Sequence, residues 1–203
     1  MLRLYDYGES GNCYKVRLLL SQLGEPFERV DLDILQGETR TPEFLAKNPN
    51  RRVPVVEWPD GRRLAESDAI LWYLAEGTPL LSTDRWERAQ VLQWLFFEQY
   101  SHEPYIAVVR FWHFSGAIGK NRQALAEKME RGYHALDVIE EHLSTRSFFV
   151  GERYTIADIA LYAYTHVASE GEFDLGRFAA VRAWLERVRS QPGHVTITEE
   201  VAS

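Results

Sequence analysis

Cysteine is nearly absent. The 203 residues hold one, Cys13, so no disulfide can form within the chain and nothing demands an oxidising compartment. No stretch approaches the roughly 20 apolar residues that cross a bilayer. The opening Met1-Leu2-Arg3-Leu4-Tyr5-Asp6 lacks the apolar core of a signal peptide. Basic runs are missing too. The formal net charge of −7 repels phosphate backbones, which argues against nucleic acid as a general partner. Neither internal repeats nor low-complexity stretches occur. These absences lead to the expectation of a soluble, cytoplasmic, globular protein. The residues that are present fit: 45% are hydrophobic and 26% charged, as in an ordinary domain. The length suits one large domain or two small ones. Six Trp, ten Tyr and ten Phe exceed what pure solvation tolerates, so many must be buried and some could line an apolar pocket.

The first third alternates short strands and helices. Leu2 and Leu4 alternate with Arg3 and Tyr5, as in a strand. Val16, Leu19, Leu20 and Leu23 recur at helical spacing, closed by Gly24 and Pro26. Phe27 to Leu32 reads as a strand and Pro42 to Lys47 as a short helix. Val53 to Trp58 is rich in β-branched residues and reads as a strand. Pro59-Asp60-Gly61 then turns the chain so that Arg62 to Ala65 returns as a hairpin. A helix from Ser67 to about Glu76 ends at Gly77 and Pro79. The order is β-α-β-α-β-β-α.

From about Asp84 only helices are expected. Thr83 or Asp84 caps a long one carrying Trp86, Leu92, Trp94, Leu95 and Phe96; it runs to Phe114, bent by Pro104 and ended by Gly116 and Gly119. Leu125, Met129, Leu136, Ile139 and Leu143 mark the next. Ile159 to Tyr164 is apolar all round, which predicts a buried helix. Phe178, Val181, Trp184 and Val188 mark the last. Two domains follow: residues 1–77, α/β, and residues 84–203, all-helical.

Four local signals carry chemistry. Ser10-Gly11-Asn12-Cys13-Tyr14-Lys15 lies between the first strand and first helix, where free N–H groups and the helix dipole favour an anion. A hydroxyl there can donate to a thiolate, or simply cap the helix. Val53-Pro54 opens a strand with a residue that cannot donate to the ladder. A cis bond would turn the Val53 backbone outward to pair with a peptide ligand, whereas a trans proline on an edge strand needs no such role. Glu66-Ser67-Asp68 starts the third helix: Ser67 can cap it, its open N–H groups can bind a carboxylate, and Glu66 can accept an ammonium. Solvated acids beside a plain cap are the alternative. Thr155-Ile156-Ala157-Asp158 is a capping-box variant that nucleates the buried helix; its expected task is structural.

In this order, strand–Ser–helix, V-P, E-S and T-I-A-D resemble the cytosolic glutathione S-transferase family over essentially the whole chain. The bacterial branches are most similar, including the one that reduces disulfides with glutathione. The resemblance implies a thioredoxin-like N-terminal domain that binds glutathione and an all-α C-terminal domain that supplies the second-substrate pocket. It implies glutathione as co-substrate, no metal, and a homodimer. By the same resemblance Ser10 donates to the glutathione sulfur, Asn12 assists, and Val53 beside cis-Pro54 pairs with the cysteinyl backbone. Glu66 and Ser67 grip the γ-glutamyl end, while Arg52 and Gln36 approach the glycyl carboxylate. Arg51 stands where the family often has a small residue. Cys13 is three residues beyond the sulfur position; burial as a small core residue is expected, with a mixed disulfide the alternative.

The implied activity is detoxifying transfer of glutathione to small electrophiles, with disulfide or peroxide reduction on the same site, or a non-catalytic binding module, as alternatives. Tyr105, Val108, Phe111 and Trp112 recur at spacings that could line an apolar wall for the electrophile, or could be core. Arg110 among them could meet an acidic substrate or be solvated.

Overall fold

The computed structural model describes residues 1–199. Two compact units emerge among the described residues, Met1–Glu76 joined by residues 192–199, and Gly77–Gln191.

In the first unit, strands β1 (Leu2–Asp6), β2 (Phe27–Asp31), β3 (Val55–Glu57) and β4 (Arg63–Ala65) form one sheet in the order β2-β1-β3-β4. β1 and β2 run parallel through the crossover helix α1 (Gly11–Leu23), and the other pairs are antiparallel. The register Leu4↔Val56 and Tyr5↔Val55 sorts the sheet's two faces. Leu4 and Val56 pack with Val16 and Leu20 of α1, Phe27, and Ile70 of α3 (Ser67–Ala75). Tyr5 and Val55 pack on the other face with Phe44 of α2 (Pro42–Leu45). α1 stops where Gly24 takes φ +67, which lets its N–H reach Leu20 and Ser21 carbonyls. β3 is shorter than the expected Val53–Trp58, because Val53 and Pro54 stand outside the ladder. The architecture is a thioredoxin-like sheet with helices on both faces.

The tail corrects the expected division at residues 84–203. From Gly193 to Ile197 the chain lies on α1. Ser21 Oγ donates to the Gly193 carbonyl at 2.8 Å, Tyr14 Oη to that of Val195 at 2.7 Å, and Arg17 Nη2 to that of Ile197 at 2.8 Å. All three donors sit on one helix face.

The second unit is helical: α4 (Arg85–Phe97), α5 (Glu103–Phe114), α6 (Arg122–Leu143), α7 (Ile156–Thr165) and α8 (Ala179–Arg189). Asp84 caps α4, its carboxylate accepting the Glu87 N–H at 2.9 Å. The bend expected at Pro104 is a wider turn just before it, Glu98–His102, where the Glu103 N–H reaches the Glu98 carbonyl five residues back. Proline cannot donate and clashes with the carbonyl four residues earlier, so the chain widens ahead of it. All ten residues of α7 are buried. Its capping box forms as expected: Thr155 accepts the Ala157 N–H, and Asp158 Oδ2 accepts the Thr155 N–H at 2.9 Å. No helix among the described residues is long and apolar enough to cross a membrane.

Candidate functional site

Two helix beginnings meet in the first unit. Ser10 is half-buried at the N-cap of α1, and its Oγ accepts the Cys13 N–H at 3.3 Å. That bond uses a lone pair, so the hydroxyl hydrogen stays available to donate. The first turn of α1 carries no acidic residue to offset the dipole.

At the start of α3 the structure corrects one expectation: Ser67 does not cap the helix. The N-cap is Glu66, which makes no side-chain cap bond. It sits at φ +68, ψ 113, a conformation rare for any side chain-bearing residue and concentrated at functional sites. The Glu66 side chain therefore supplies no acceptor to the first amides of α3. Ser67 Oγ instead donates to Asn12 Oδ1 at 3.1 Å, which ties α3 to the second residue of α1. Glu66 is exposed, with Asn50 Nδ2 donating to it at 3.4 Å.

Beneath this junction lies Lys15, fully buried, its Nζ 3.3 Å from Ser67 Oγ and 3.1 Å from Asp68 Oδ1. Sequence reasoning placed Lys15 and Asp68 in these two motifs but gave neither a part in the site. The one available signal is a lysine, like Arg17, among the buried apolar residues of α1, since its partners come from a distant segment.

The peptide bond Val53–Pro54 is cis, and the β3 pairing starts at Val55, so the Val53 N–H and C=O lie outside the sheet. The preceding loop is held by buried Asn48, whose Nδ2 donates to the Arg52 carbonyl at 2.8 Å. Arg51 takes φ +59, the strained left-handed region for a non-glycine residue. Arg52 is exposed, and its guanidinium makes no hydrogen bond among the described residues. Gln36 stands apart in the loop built on Asp33, its N–H donating to Asp33 Oδ1 at 3.1 Å, with no hydrogen bond to the junction. Cys13 is fully buried. Burial first, and the nearby Asp6 charge second, hold its thiol well above the usual range, which leaves it protonated and inert.

In the second unit, Tyr105, Val108 and Trp112 are half-buried and Phe111 is exposed. They share one side of α5, while Ile106 and Val109 point into the core; the four are not core. Lys128 Nζ lies 5.0 Å and Arg131 Cζ 5.7 Å from the Tyr105 ring centroid. Arg110 answers neither expectation: it is buried, and its Nε donates to Glu170 at 2.6 Å.

A thioredoxin-like unit with two convergent helix N-termini and a cis-proline edge, followed by an all-helical unit, defines a class. Residues 9–76 match the glutathione S-transferase N-terminal domain, and residues 91–192 match the glutathione S-transferase C-terminal domain. The chain belongs to the glutathione S-transferase family. It is 52% identical to a glutathione S-transferase of Pseudomonas fluorescens [Pf-5] of known crystal structure, with a TM-score of 0.96 over 98% of this chain and 99% of that one. It is 32% identical to the disulfide-bond oxidoreductase YfcG of Escherichia coli (strain K12), over 95% of this chain and 92% of that protein. A glutathione transferase of Pseudomonas putida, crystallised with one glutathione disulfide per subunit, is 30% identical with a TM-score of 0.85, over 95% and 88% of the two chains.

Proposed function

We propose that this protein binds glutathione as its thiolate and transfers it to small electrophiles, a detoxifying reaction of the cytoplasm. The observation that carries the reading is the Ser67–Asn12 bond of 3.1 Å, which brings the starts of α1 and α3 together. Two of glutathione's anionic groups suit the two dipole termini: the ionised sulfur at Ser10 and the γ-glutamyl carboxylate at Ser67. Glu66 accepts the γ-glutamyl ammonium. Val53, outside the ladder, pairs with the cysteinyl backbone beside Pro54. Arg52 receives the glycyl carboxylate, with Gln36 as a second contact.

The chemistry asks little of the protein beyond charge stabilisation. Glutathione's thiol titrates near a free cysteine, about 8.5, and reacts as thiolate. Lowering that by about two units takes roughly 2.7 kcal/mol. One charge-assisted hydrogen bond from Ser10 plus the α1 dipole supplies about that much. Ser10 is a donor, since an unaided hydroxyl is far too weak a base. The thiolate attacks the electrophile, the new C–S bond forms, and the leaving group departs with the electron pair. Tyr105, Val108, Phe111 and Trp112 offer the electrophile an apolar surface.

Two observations favour a second reading, reduction of glutathione disulfides. Asn12 stands two residues from Ser10. The Lys128 and Arg131 cations beside Tyr105 suit a substrate that carries carboxylates. We further propose a homodimer, for which the exposed Trp86, Leu92 and Phe96 of α4 supply a surface.

Calorimetric titration with glutathione tests the reading, with micromolar to millimolar affinity expected; no measurable heat would refute it. Parallel assays with a chloronitrobenzene and a glutathione mixed disulfide separate conjugation from reduction.

A further inference from the structure

Ser67 has one hydroxyl hydrogen and two acceptors to serve. Lys15 Nζ carries only donors, so at 3.3 Å it occupies a lone pair of Ser67 Oγ. Asp68 Oδ1 at 3.1 Å holds the same ammonium, which is fully buried. The Ser67 hydrogen is thereby left for an acceptor, and here it goes to Asn12 Oδ1 at 3.1 Å. On the glutathione reading, on which this inference rests, the γ-glutamyl carboxylate arrives at the uncapped start of α3. A carboxylate is a charged acceptor and outcompetes a neutral amide oxygen for that hydrogen.

We infer that Ser67 is a two-position switch: carboxylate binding takes its hydrogen from Asn12, and the released Asn12 amide turns its N–H donors to the sulfur held by Ser10. Lys15 is the positioning residue, keeping the Ser67 lone pair occupied in both positions. Binding at the far end of the tripeptide thus becomes stabilisation of the thiolate, an interaction realised where the reaction occurs. Direct electrostatics runs the other way, since a bound carboxylate repels a thiolate and raises its pKa. The sign of the effect therefore separates the switch from simple proximity.

The test is the thiol pKa of bound ligand, read by ultraviolet thiolate absorbance against pH at saturation. Glutathione is compared with an analogue whose γ-glutamyl carboxylate is a carboxamide. In the wild type, glutathione is expected to titrate about half to one unit below the analogue, roughly three- to tenfold more thiolate at pH values below both pKa values. Asn12→Ala is expected to erase that difference, although residue 12 does not hold the carboxylate; Asn12→Leu, similar in size and with neither donor nor acceptor, gives the same readout should the alanine variant not fold. Ser67→Ala is expected to erase it as well as weaken binding. A difference that persists in the Asn12 variants, or a wild-type analogue that titrates at or below glutathione, overturns the switch and leaves the glutathione reading intact. A wild type with no thiolate signal from glutathione removes both.

Discussion

Ser10 has two tasks that substitution can pull apart. Its oxygen caps α1 by accepting the Cys13 N–H, and its hydrogen serves the thiolate. Ser10→Ala removes both: about 1 kcal/mol of stability, and at least about one unit of bound-thiol acidity, a tenfold change. Ser10→Asp keeps a capping oxygen but sets a negative charge where the donor was. Its melting temperature should hold near the wild type while the thiol pKa rises further. Thermal melts read the first effect and thiolate absorbance the second; an unchanged titration in Ser10→Ala would assign thiolate stabilisation to another group. Residue identity alone could not rank Cys13 below Ser10, since both belong to the same helical turn. Burial ranks them, because the fully buried thiol is raised and Ser10 stays half-accessible. Ser67 was misread as a cap because capping chemistry is local, whereas the lysine that claims its oxygen lies on another helix.

At the scale of elements, turn residues and periodicity locate nearly every helix and strand, and the exceptions depend on partners distant in sequence. Gly132 stands in the middle of α6, where glycine costs about 1 kcal/mol relative to alanine. A Cβ there would lie 2.5 and 2.6 Å from Cε1 and Cζ of Phe173 and 3.4 Å from Ile106. Phe173 is buried and packs edge-on against Tyr133 at 5.2 Å, so it has little room to move. Overpacking costs about 1–3 kcal/mol. Gly132→Ala should therefore lose up to a net ~2 kcal/mol by urea unfolding, although helix propensity alone predicts a gain; a stabilised variant would show that the ring yields. Asp158, by contrast, was legible, because a capping box is written in four consecutive residues. What its motif did not disclose is the charge cost. Burial pushes its carboxyl from 3.8 up to about 6, against the pull of donors from Trp184, Thr155 and Phe149. The folded state then binds the proton more tightly than the unfolded chain. That stability is complete below about pH 4 and lost as pH rises through about 6, on the order of 3 kcal/mol in all. Asp158→Asn removes the titration. The stability advantage of wild type over variant should shrink between about pH 4 and 7, measured by chemical denaturation at each pH; an advantage independent of pH contradicts the cause.

For the whole molecule, the chain's return to its first unit was hidden in the sequence. Tyr14, Arg17 and Ser21 bind carbonyls of the tail, and every residue presents a backbone carbonyl, so no local pattern announces the contact. The surface of α4 is more readable. Val91, Trp94 and Leu95 turn inward, while Trp86, Phe96 and, just beyond the helix, Tyr100 remain 71%, 68% and 83% exposed, with Leu92 between them. Spacings of ten and four residues set these aromatics along one side of the helix. An apolar row of this kind costs solubility unless another surface covers it. If the cover is a second copy about a two-fold axis, each substitution acts twice. Phe96→Glu would then forfeit about 2 kcal/mol of burial at each of two sites, some 4 kcal/mol or roughly a thousandfold in the dimer's Kd, before the charge is counted. Size-exclusion chromatography with light scattering should find a dimer for the wild type and a monomer for Phe96→Glu at micromolar concentration. Glutathione binding should survive in that monomer, since Phe96 belongs to neither helix start that receives the tripeptide. A wild type already monomeric at high protein concentration would leave the row to a different partner and end the dimer proposal.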